Sequence, residues 1–575
     1  MRFSDLAKVF DKLERTSARL EITADVAKVF FECNSSNVKQ VTYLLQGIIS
    51  PSFTGIDLGI GDKLAQQAIS IVTGKSVSEI EASYRKTGDL GLTTQELISF
   101  KQQKSLASIV LSVDKVYSNL YKIASSSGSG SQEQKIKLLA ELLSSSSPLE
   151  AKVIIRIATG NLRLGLGNQT ILDALSFHVA GDKSLRPVFE KAFNFTSDLG
   201  FVSELFFKKG IKQVEKVSPT LFSPIRPALA ERLSDSKEIF DKLGEASVEG
   251  KYDGLRLQVH FSKNKVEIYS RKQERITEMF PEIVEACKKQ LNAKEAILEG
   301  EAIAVDSKGG FLPFQATIQR KRKHGITEKA KEIPLRLYCF ELLMVDGKDL
   351  TLQSYEERRK KLGEILAPGK VIALADRIIA HTAVELDDYF SECVSLGLEG
   401  VIAKDLKAPY AAGARKFAWI KLKKSYSTAL ADNLDVVVIG FYYGKGKRTK
   451  LGFGGVLTAV FNEEKSLFES IAKVGTGFTE DQMRLLEKEL RKIIVKVKPK
   501  NVVSLLEPDE WVEPRMVIEV NADEVSKSPV HTAGMVGKEG LALRFPRFLR
   551  VRDDKAPQDA TTVNEVFSLL DSQRK

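Results

Sequence analysis

From residue 1 to about 215, apolar side chains recur three and four positions apart. Leu6, Val9, Phe10 and Leu13 form one such stripe, Leu44, Leu45, Ile48 and Ile49 a second, and Ala151, Ile154, Ile155 and Ala158 a third. That spacing predicts helix after helix. Serine-rich stretches at 125–131 and 144–147 read as loops, and Pro148 after the second marks a helix start. Around Pro224-Ile225-Arg226-Pro227 the period shortens to two, and strands are predicted at 255–261, 266–271, 296–305, 335–342 and 398–404. Helices lie among them, such as 382–396, where Thr382 and Glu385 have capping-box spacing. After Lys424 come further strands at 434–443, 455–461, 467–474 and 516–520, with one helix capped by Thr479 and Gln482. The pattern predicts a multidomain chain: an all-α domain over 1–215, an α+β domain over 216–424 and a small C-terminal β-barrel of the oligonucleotide/oligosaccharide-binding type (OB-fold) over 425–575.

The length of 575 residues agrees with three or four domains and excludes a single small module. With 86 Lys+Arg against 75 Asp+Glu the formal charge is +11 and the pI about 9.1, which favours a polyanionic partner such as nucleic acid. Cys33, Cys287, Cys339 and Cys393 form no C-x-x-C pair, so zinc knuckles and disulfide frameworks are disfavoured and a reducing, intracellular setting fits. The five histidines are dispersed, so any metal is expected on carboxylates. Charges interrupt the N-terminus too soon for a signal peptide, and the longest apolar run, 434–443, is about half of what a membrane helix requires. A soluble protein with no membrane partner is expected.

The sharpest chemical signal is Glu249-Gly250-Lys251-Tyr252-Asp253-Gly254-Leu255-Arg256. Asp-Gly between strands is also an ordinary hairpin turn. A lysine there, buried or flanked by cations, becomes a nucleophile. Glu299 and Glu301, two apart on a strand, share one face and could meet a ribose hydroxyl or Mg²⁺. Lys421 and Lys423 likewise share a face, with Ile420 and Leu422 on the other, and two such ammonium groups call for an anion such as a triphosphate. No P-loop occurs: Gly440 to Gly444-Lys445 is one residue short.

Lys251-Tyr252-Asp253-Gly254-Leu255-Arg256 resembles the K-x-D-G-x-R signature of the covalent nucleotidyltransferases, which comprise DNA ligases, RNA ligases and mRNA-capping enzymes. The other motifs of that superfamily follow in order: Tyr269-Ser270-Arg271, Glu299-Gly300-Glu301, a strand carrying Phe340, Leu398-Glu399-Gly400-Val401-Ile402-Ala403-Lys404, Arg415, Trp419-Ile420-Lys421-Leu422-Lys423, and Arg552-Asp553-Asp554-Lys555. Glu341 departs from the family, which more often has Asp there. The resemblance implies Lys251 as the residue that takes AMP from ATP. It implies nucleotide contacts from Glu249, Arg256, Arg271, Glu301, Phe340, Arg415, Lys421, Lys423, Arg552 and Lys555. It implies Glu301 and Glu399 as ligands of Mg²⁺ or another divalent cation, and Lys404 near the phosphates.

Gly160-Asn161-Leu162-Arg163-Leu164-Gly165-Leu166-Gly167 resembles the R-x-G-x-G element in the helical DNA-binding domain of archaeal and eukaryotic replicative ATP-dependent DNA ligases. It implies a duplex-backbone grip by Arg163, Gly165 and Gly167. The implied activity is sealing of nicks in double-stranded DNA through lysyl-AMP and 5′-adenylated DNA, in replication, repair and recombination. The alternative is an RNA ligase or capping-type guanylyltransferase. A monomer in the cytoplasm or nucleoid is expected. Gln103-Lys104-Ser105-Leu106 resembles part of a sliding-clamp-binding peptide, and the basic runs 320–323 and 445–450 are candidates for backbone contact.

Overall fold

The computed structural model describes every residue except 88, 101–109, 163, 165, 307–308, 313, 322–324, 424–432, 444–452, 523 and 573–575. The described residues fall into two compact bodies, one made of 1–193, 198–217 and 437–515, the other of 194–197, 218–436 and 516–575.

The N-terminal part of the first body is helical, from Phe3–Arg15 to Ile211–Glu215. Its stripes face inward: Leu6, Phe10, Leu13, Ala151, Ile154, Ile155 and Ala158 are all buried in one core. The helix Pro148–Ala158 begins where the serine run ends, with Ser147 and Glu150 forming a reciprocal capping box and Pro148 in the first turn. This helix is buried on all sides, so its charges must be paired. Arg156 meets Asp89 at 2.7 Å and Glu14 at 2.9 Å, and Lys152 meets Glu14 at 2.6 Å and Asp11 at 3.0 Å.

The second body carries strands β1 (Leu229–Arg232), β2 (Ala246–Lys251), β3 (Leu255–Ser262), β4 (Lys265–Ser270), β5 (Glu295–Ala304), β6 (Leu335–Val345), β7 (Lys348–Asp349), β8 (Ile372–Leu374), β9 (Arg377–Ala380), β10 (Gly400–Asp405) and β11 (Arg415–Lys423). One sheet has the order β1-β11-β10-β2-β9, the other β4-β3-β5-β6-β7 with β8 alongside β6. The expected strands are therefore present, shifted by a few residues at their ends. The Asp253-Gly254 turn is not a hairpin, because β2 and β3 belong to different sheets. Helices Ser236–Leu243 and Ala383–Ser395 pack on the first sheet, and Pro281–Gln290 lies against the apolar face of the second.

The C-terminal region is built on sheets. Strands β12 (Asn433–Tyr442), β13 (Gly455–Asn462), β14 (Leu467–Val474), β15 (Ile494–Val495), β16 (Val502–Val503) and β17 (Glu510–Val512) follow the order β15-β17-β12-β13-β14-β16. The helix Glu480–Arg491 starts at a full Thr479/Gln482 capping box. In the second body, β18 (Val517–Asn521) pairs with β22 (Arg547–Val551), and β19 (Glu524–Ser528), β20 (Ala533–Val536) and β21 (Glu539–Arg544) form a separate three-stranded sheet. The helix Val563–Ser572 follows. Among the described residues no helix is long and apolar enough to cross a membrane.

Candidate active site

Strand register assembles one wall of the site. Gly400 on β10 stands opposite Lys251 on β2 and, on its other side, opposite Lys423 on β11. Two residues along, Ile402 stands between Glu249 and Lys421. Because side chains alternate along a strand, both rows lie on the same face. A Cβ at Gly400 would come within 2.1 Å of the Leu422 carbonyl oxygen, so only glycine lets the three strands close up there.

The second wall comes from the other sheet. A Cβ at Gly254 would meet the Ala302 carbonyl oxygen at 2.3 Å, so the turn that leaves β2 lies tight on β5 beside Glu301. Arg256 is in register with Glu301, and Phe340 lies on β6. A cavity of about 600 Å³ lies between these groups, lined by Lys251, Arg256, Glu301, Phe340, Lys421 and Lys423 among others. Small-ligand sites span roughly 300–1,000 Å³.

The inner end of the cavity is aromatic and cationic. Phe340 meets Trp419 edge-on at 6.0 Å, and the Arg256 guanidinium lies 5.5 Å from the Phe340 ring and 5.3 Å from Trp419. Lys404, expected near the phosphates, lines the cavity and is buried among the rings of Phe340, Tyr355 and Trp419, 4.4–4.7 Å from each centroid. It is paired with Glu249 at 2.6 Å, and the Tyr355 hydroxyl donates to the same carboxylate. Two other acids are committed away from the cavity. Glu299 accepts from Arg256, Gln258 and Tyr410, so of the Glu299/Glu301 pair only Glu301 faces the cavity. Glu341 is fully buried in a two-point pair with Arg358 at 2.8 and 3.0 Å, which leaves it no metal role.

The other cations of the sequence motifs face carboxylates. Lys251 donates to Glu399, which Lys423 also approaches at 3.3 Å. Against the opposing effect of burial, these two ammonium groups hold the Glu399 carboxyl well below its ordinary range. Arg415 and Lys421 share Glu565, at 2.5 and 3.5 Å. Burial drives the Lys421 ammonium well below its usual value despite that neighbour. Lys555 and Arg552 converge on Asp435, the latter at 3.1 Å; burial notwithstanding, they hold that carboxyl down at about 2. Lys555 is itself lowered to about 8 by burial. Arg271 lies 3.8 Å from Asp559. Sequence reasoning missed Asp435 and Glu565. The first has a faint signal as a lone acid in an apolar strand; the second is masked by its capping spacing to Thr562, which it also satisfies.

Among the described residues no three His, Cys, Asp or Glu side chains form a metal-holding group. Mg²⁺ bound through substrate phosphates needs only one or two carboxylates, so the set is not deficient. Glu301 is pushed up to about 8 by burial, and Asp253 is raised by burial and by Glu399. Glu301, disfavoured as a bare anion, and Glu399, held as an anion between two ammonium groups, are oxygen donors of the kind Mg²⁺ takes, and both line the cavity, so the pair fits the group.

The proposed DNA element is partly described. Gly167 is the N-cap of the helix Asn168–Ala180, with open space around it, whereas Arg163 and Gly165 lie outside the described residues. So do 103–106 and 445–450. The run 320–323 is corrected in its first half: Arg320 is buried, donating to Glu282 at 2.6 Å and to the Ile333 carbonyl at 2.8 Å, and Lys321 pairs with Glu274 at 2.9 Å. The buried Arg320 holds the fold together and is not available to a duplex.

Comparison with known proteins gives the family. Residues 2–176 match the family model for the DNA ligase N terminus, 227–423 the ATP-dependent DNA ligase domain, and 449–555 the ATP-dependent DNA ligase C-terminal region. A probable DNA ligase of Dictyoglomus turgidum is 43% identical over 578 residues, covering 100% of this chain and 98% of the relative. A DNA ligase of Saccharolobus solfataricus is 41% identical over 590 residues, again covering 100% of this chain and 98% of the relative. With family models matched in all three regions and the relatives aligned end to end, the chain belongs to the ATP-dependent DNA ligases and is a ligase enzyme.

Proposed function

We propose that Lys251 carries the adenylate through which this ligase seals nicks in duplex DNA. The observation that carries the reading is the row Lys251, Gly400, Lys423 with Glu399 at its centre, facing a cavity where Lys251, Lys423, Arg415, Lys421, Arg552 and Lys555 are matched by acids. The Lys251 amine, having lost its proton, attacks the α-phosphorus of ATP; a P–N bond forms, the bond to the β-phosphate oxygen breaks, and pyrophosphate leaves. A 5′-phosphate oxygen of the nick then displaces Lys251 from AMP. The 3′-hydroxyl finally attacks that 5′-phosphorus, loses its proton, and AMP departs. Alignment and fixed charge are what such displacements need. Lys421, Lys423, Arg415, Arg552 and Lys555 supply positive charge to the phosphates, in exchange for Glu399, Glu565 and Asp435. Phe340 stacks on the base, and Glu249, Arg256, Arg271 and Glu301 complete the nucleoside and phosphate contacts. Mg²⁺ held by Glu301 and Glu399 would add charge stabilisation at phosphate oxygens.

The domains are read as 1–215 for DNA binding, 216–424 for adenylation and 425–575 as an OB-fold. Arg163, Gly165 and Gly167 grip the duplex backbone independently of sequence; the open N-terminus of the 13-residue helix after Gly167 supports this, since helix N-termini attract phosphate. The protein acts as a monomer in the cytoplasm or nucleoid, and 103–106 is a clamp-contact segment.

The test is transfer of label from α-labelled ATP, read after denaturing electrophoresis. Wild type retains covalent AMP, and Lys251→Ala loses at least about a thousandfold, as expected when a nucleophile is removed. Equal labelling of the two overturns the assignment.

A further inference from the structure

Behind the pocket, Glu299 lies at the centre of a hydrogen-bond network that the chemistry above leaves unexplained. Its side chain is 1% exposed. It accepts from Arg256 Nη2 at 2.8 Å, the Tyr410 hydroxyl at 2.8 Å and Gln258 Nε2 at 3.2 Å. Each of these donors also holds the backbone of one short segment. Arg256 Nη1 donates to the Ala228 carbonyl at 2.7 Å, and the Ala228 N–H donates to the Tyr410 hydroxyl at 2.9 Å. Gln258 takes the Ile225 N–H at 2.7 Å and gives to the Ile225 carbonyl at 3.0 Å. The chain continues to His260, whose Nδ1 accepts the Phe222 N–H at 2.9 Å while Nε2 lies 2.9 Å from Gln258 Oε1. Burial lowers His260 to about 3, so the ring is neutral, and its contacts fix the proton on Nε2. The segment 222–228 is the connector between the helix Ile211–Glu215 and β1, and Phe222 adopts a positive φ of 66°. Non-glycine residues keep that conformation only when their surroundings impose it. Arg256 also lines the nucleotide cavity and keeps a buried Nε with no hydrogen-bond partner.

We propose that Glu299 is a positioning residue that joins Arg256 to the connector 222–228, so that nucleotide binding in the cavity is transmitted to the backbone leading toward the helical domain. This rests on the reading of the cavity as the ATP site. A ligand that orders the Arg256 guanidinium orders its two other contacts, the Ala228 carbonyl and Glu299, and through Glu299 it orders Tyr410 and Gln258. No side chain of the connector needs to touch the nucleotide.

The test is amide hydrogen exchange on the full chain, with and without ATP and Mg²⁺, alongside covalent labelling. In the wild type, ATP slows exchange at Ile225 and Ala228 by about fivefold, the scale of one hydrogen bond. Glu299→Gln abolishes the slowing at both amides and raises the KM for ATP, while kcat of labelling stays within about threefold, and Glu299→Asp restores part of the response. Tyr410→Phe keeps the ring and the labelling but loses the response at Ala228 alone. A wild type that is labelled with neither amide responding overturns the coupling and leaves Lys251 in its role, as does Glu299→Gln with slowing intact. A wild type that takes no label overturns the ATP-site reading itself. If Glu299→Gln does not fold, Tyr410→Phe decides, and undiminished slowing at Ala228 overturns the proposal.

Discussion

In the helix Pro148–Ala158, Arg156 sits between Asp89 and Glu14 with its side chain 4% exposed; in the nucleotide pocket, Lys421 shares Glu565 with Arg415 beside a cavity of about 600 Å³. Both are clusters of buried ion pairs, yet they serve opposite ends. The helical cluster is closed, and its carboxylates are permanent partners. In the pocket, on the proposed reading, a polyphosphate takes the places of the carboxylates Glu399, Glu565 and Asp435, and the same kind of contact is exchanged. Ion pairing alone therefore says little about stability; the empty volume beside it decides whether the pair is structural or provisional.

The contrast can be broken most directly at Arg156. Replacement by Met takes the guanidinium away from buried Asp89 and leaves Glu14 with Lys152 alone, and should cost about 3–5 kcal/mol of unfolding free energy in denaturant titrations. A loss under 1 kcal/mol would place the two clusters in the same class. The matching change in the pocket, Lys421→Met, should leave the unfolding transition nearly unmoved but raise the ATP concentration for half-maximal labelling about ten- to a hundredfold, the scale of a lost charged hydrogen bond.

Next in size is a pH effect at Glu301, whose carboxyl is raised from its ordinary 4.5 to about 8 by burial. The folded chain keeps a proton that the unfolded chain has released. The contribution of this group to stability is thus whole below about 4.5 and drains away as pH rises through about 8. A divalent cation competes with the same proton, so its half-saturating concentration should fall as pH rises over that window. Glu301→Gln should flatten the stability profile, and an unchanged slope would show that the carboxyl is already ionised in the folded state. The smallest effect is expected for Glu565→Gln, which releases Arg415 and Lys421 from their stand-in anion. Half-saturating ATP should drop by about two- to fivefold, in line with one modest ion pair.

What could be read in the chain depended on whether a property is local. Helical spacing found Leu6, Phe10 and Leu13, and capping chemistry found Ser147 and Thr479, because each needs only its neighbours. Period two located β3, β5 and β6 but not their partners, so it could not set aside the hairpin that Asp253-Gly254 also allows; the chain in fact passes there from one sheet to another. The alternation argument put Glu299 and Glu301 on one face; it had no means to know that Gln258 and Tyr410 would claim the first. Arg552 and Lys555 were expected at the nucleotide, and both line the cavity. Their partner Asp435 lies more than a hundred positions earlier, and only the folded chain brings them together. The charge count treated Arg320 as free to meet a duplex, when its guanidinium closes a buried network with Glu282 and Ile333.

The row in which Gly400 faces both Lys251 and Lys423 also determines where the chain can change length. The connections between β2, β10 and β11 can gain or lose residues as long as the pairing is kept. One residue removed inside β10 would slip one part of the strand against β2 and β11, either turning Lys404 to the opposite face or bringing a side chain to the place only glycine can fill. Variation in length among related chains should therefore gather in the loops and stop at the ends of these three strands.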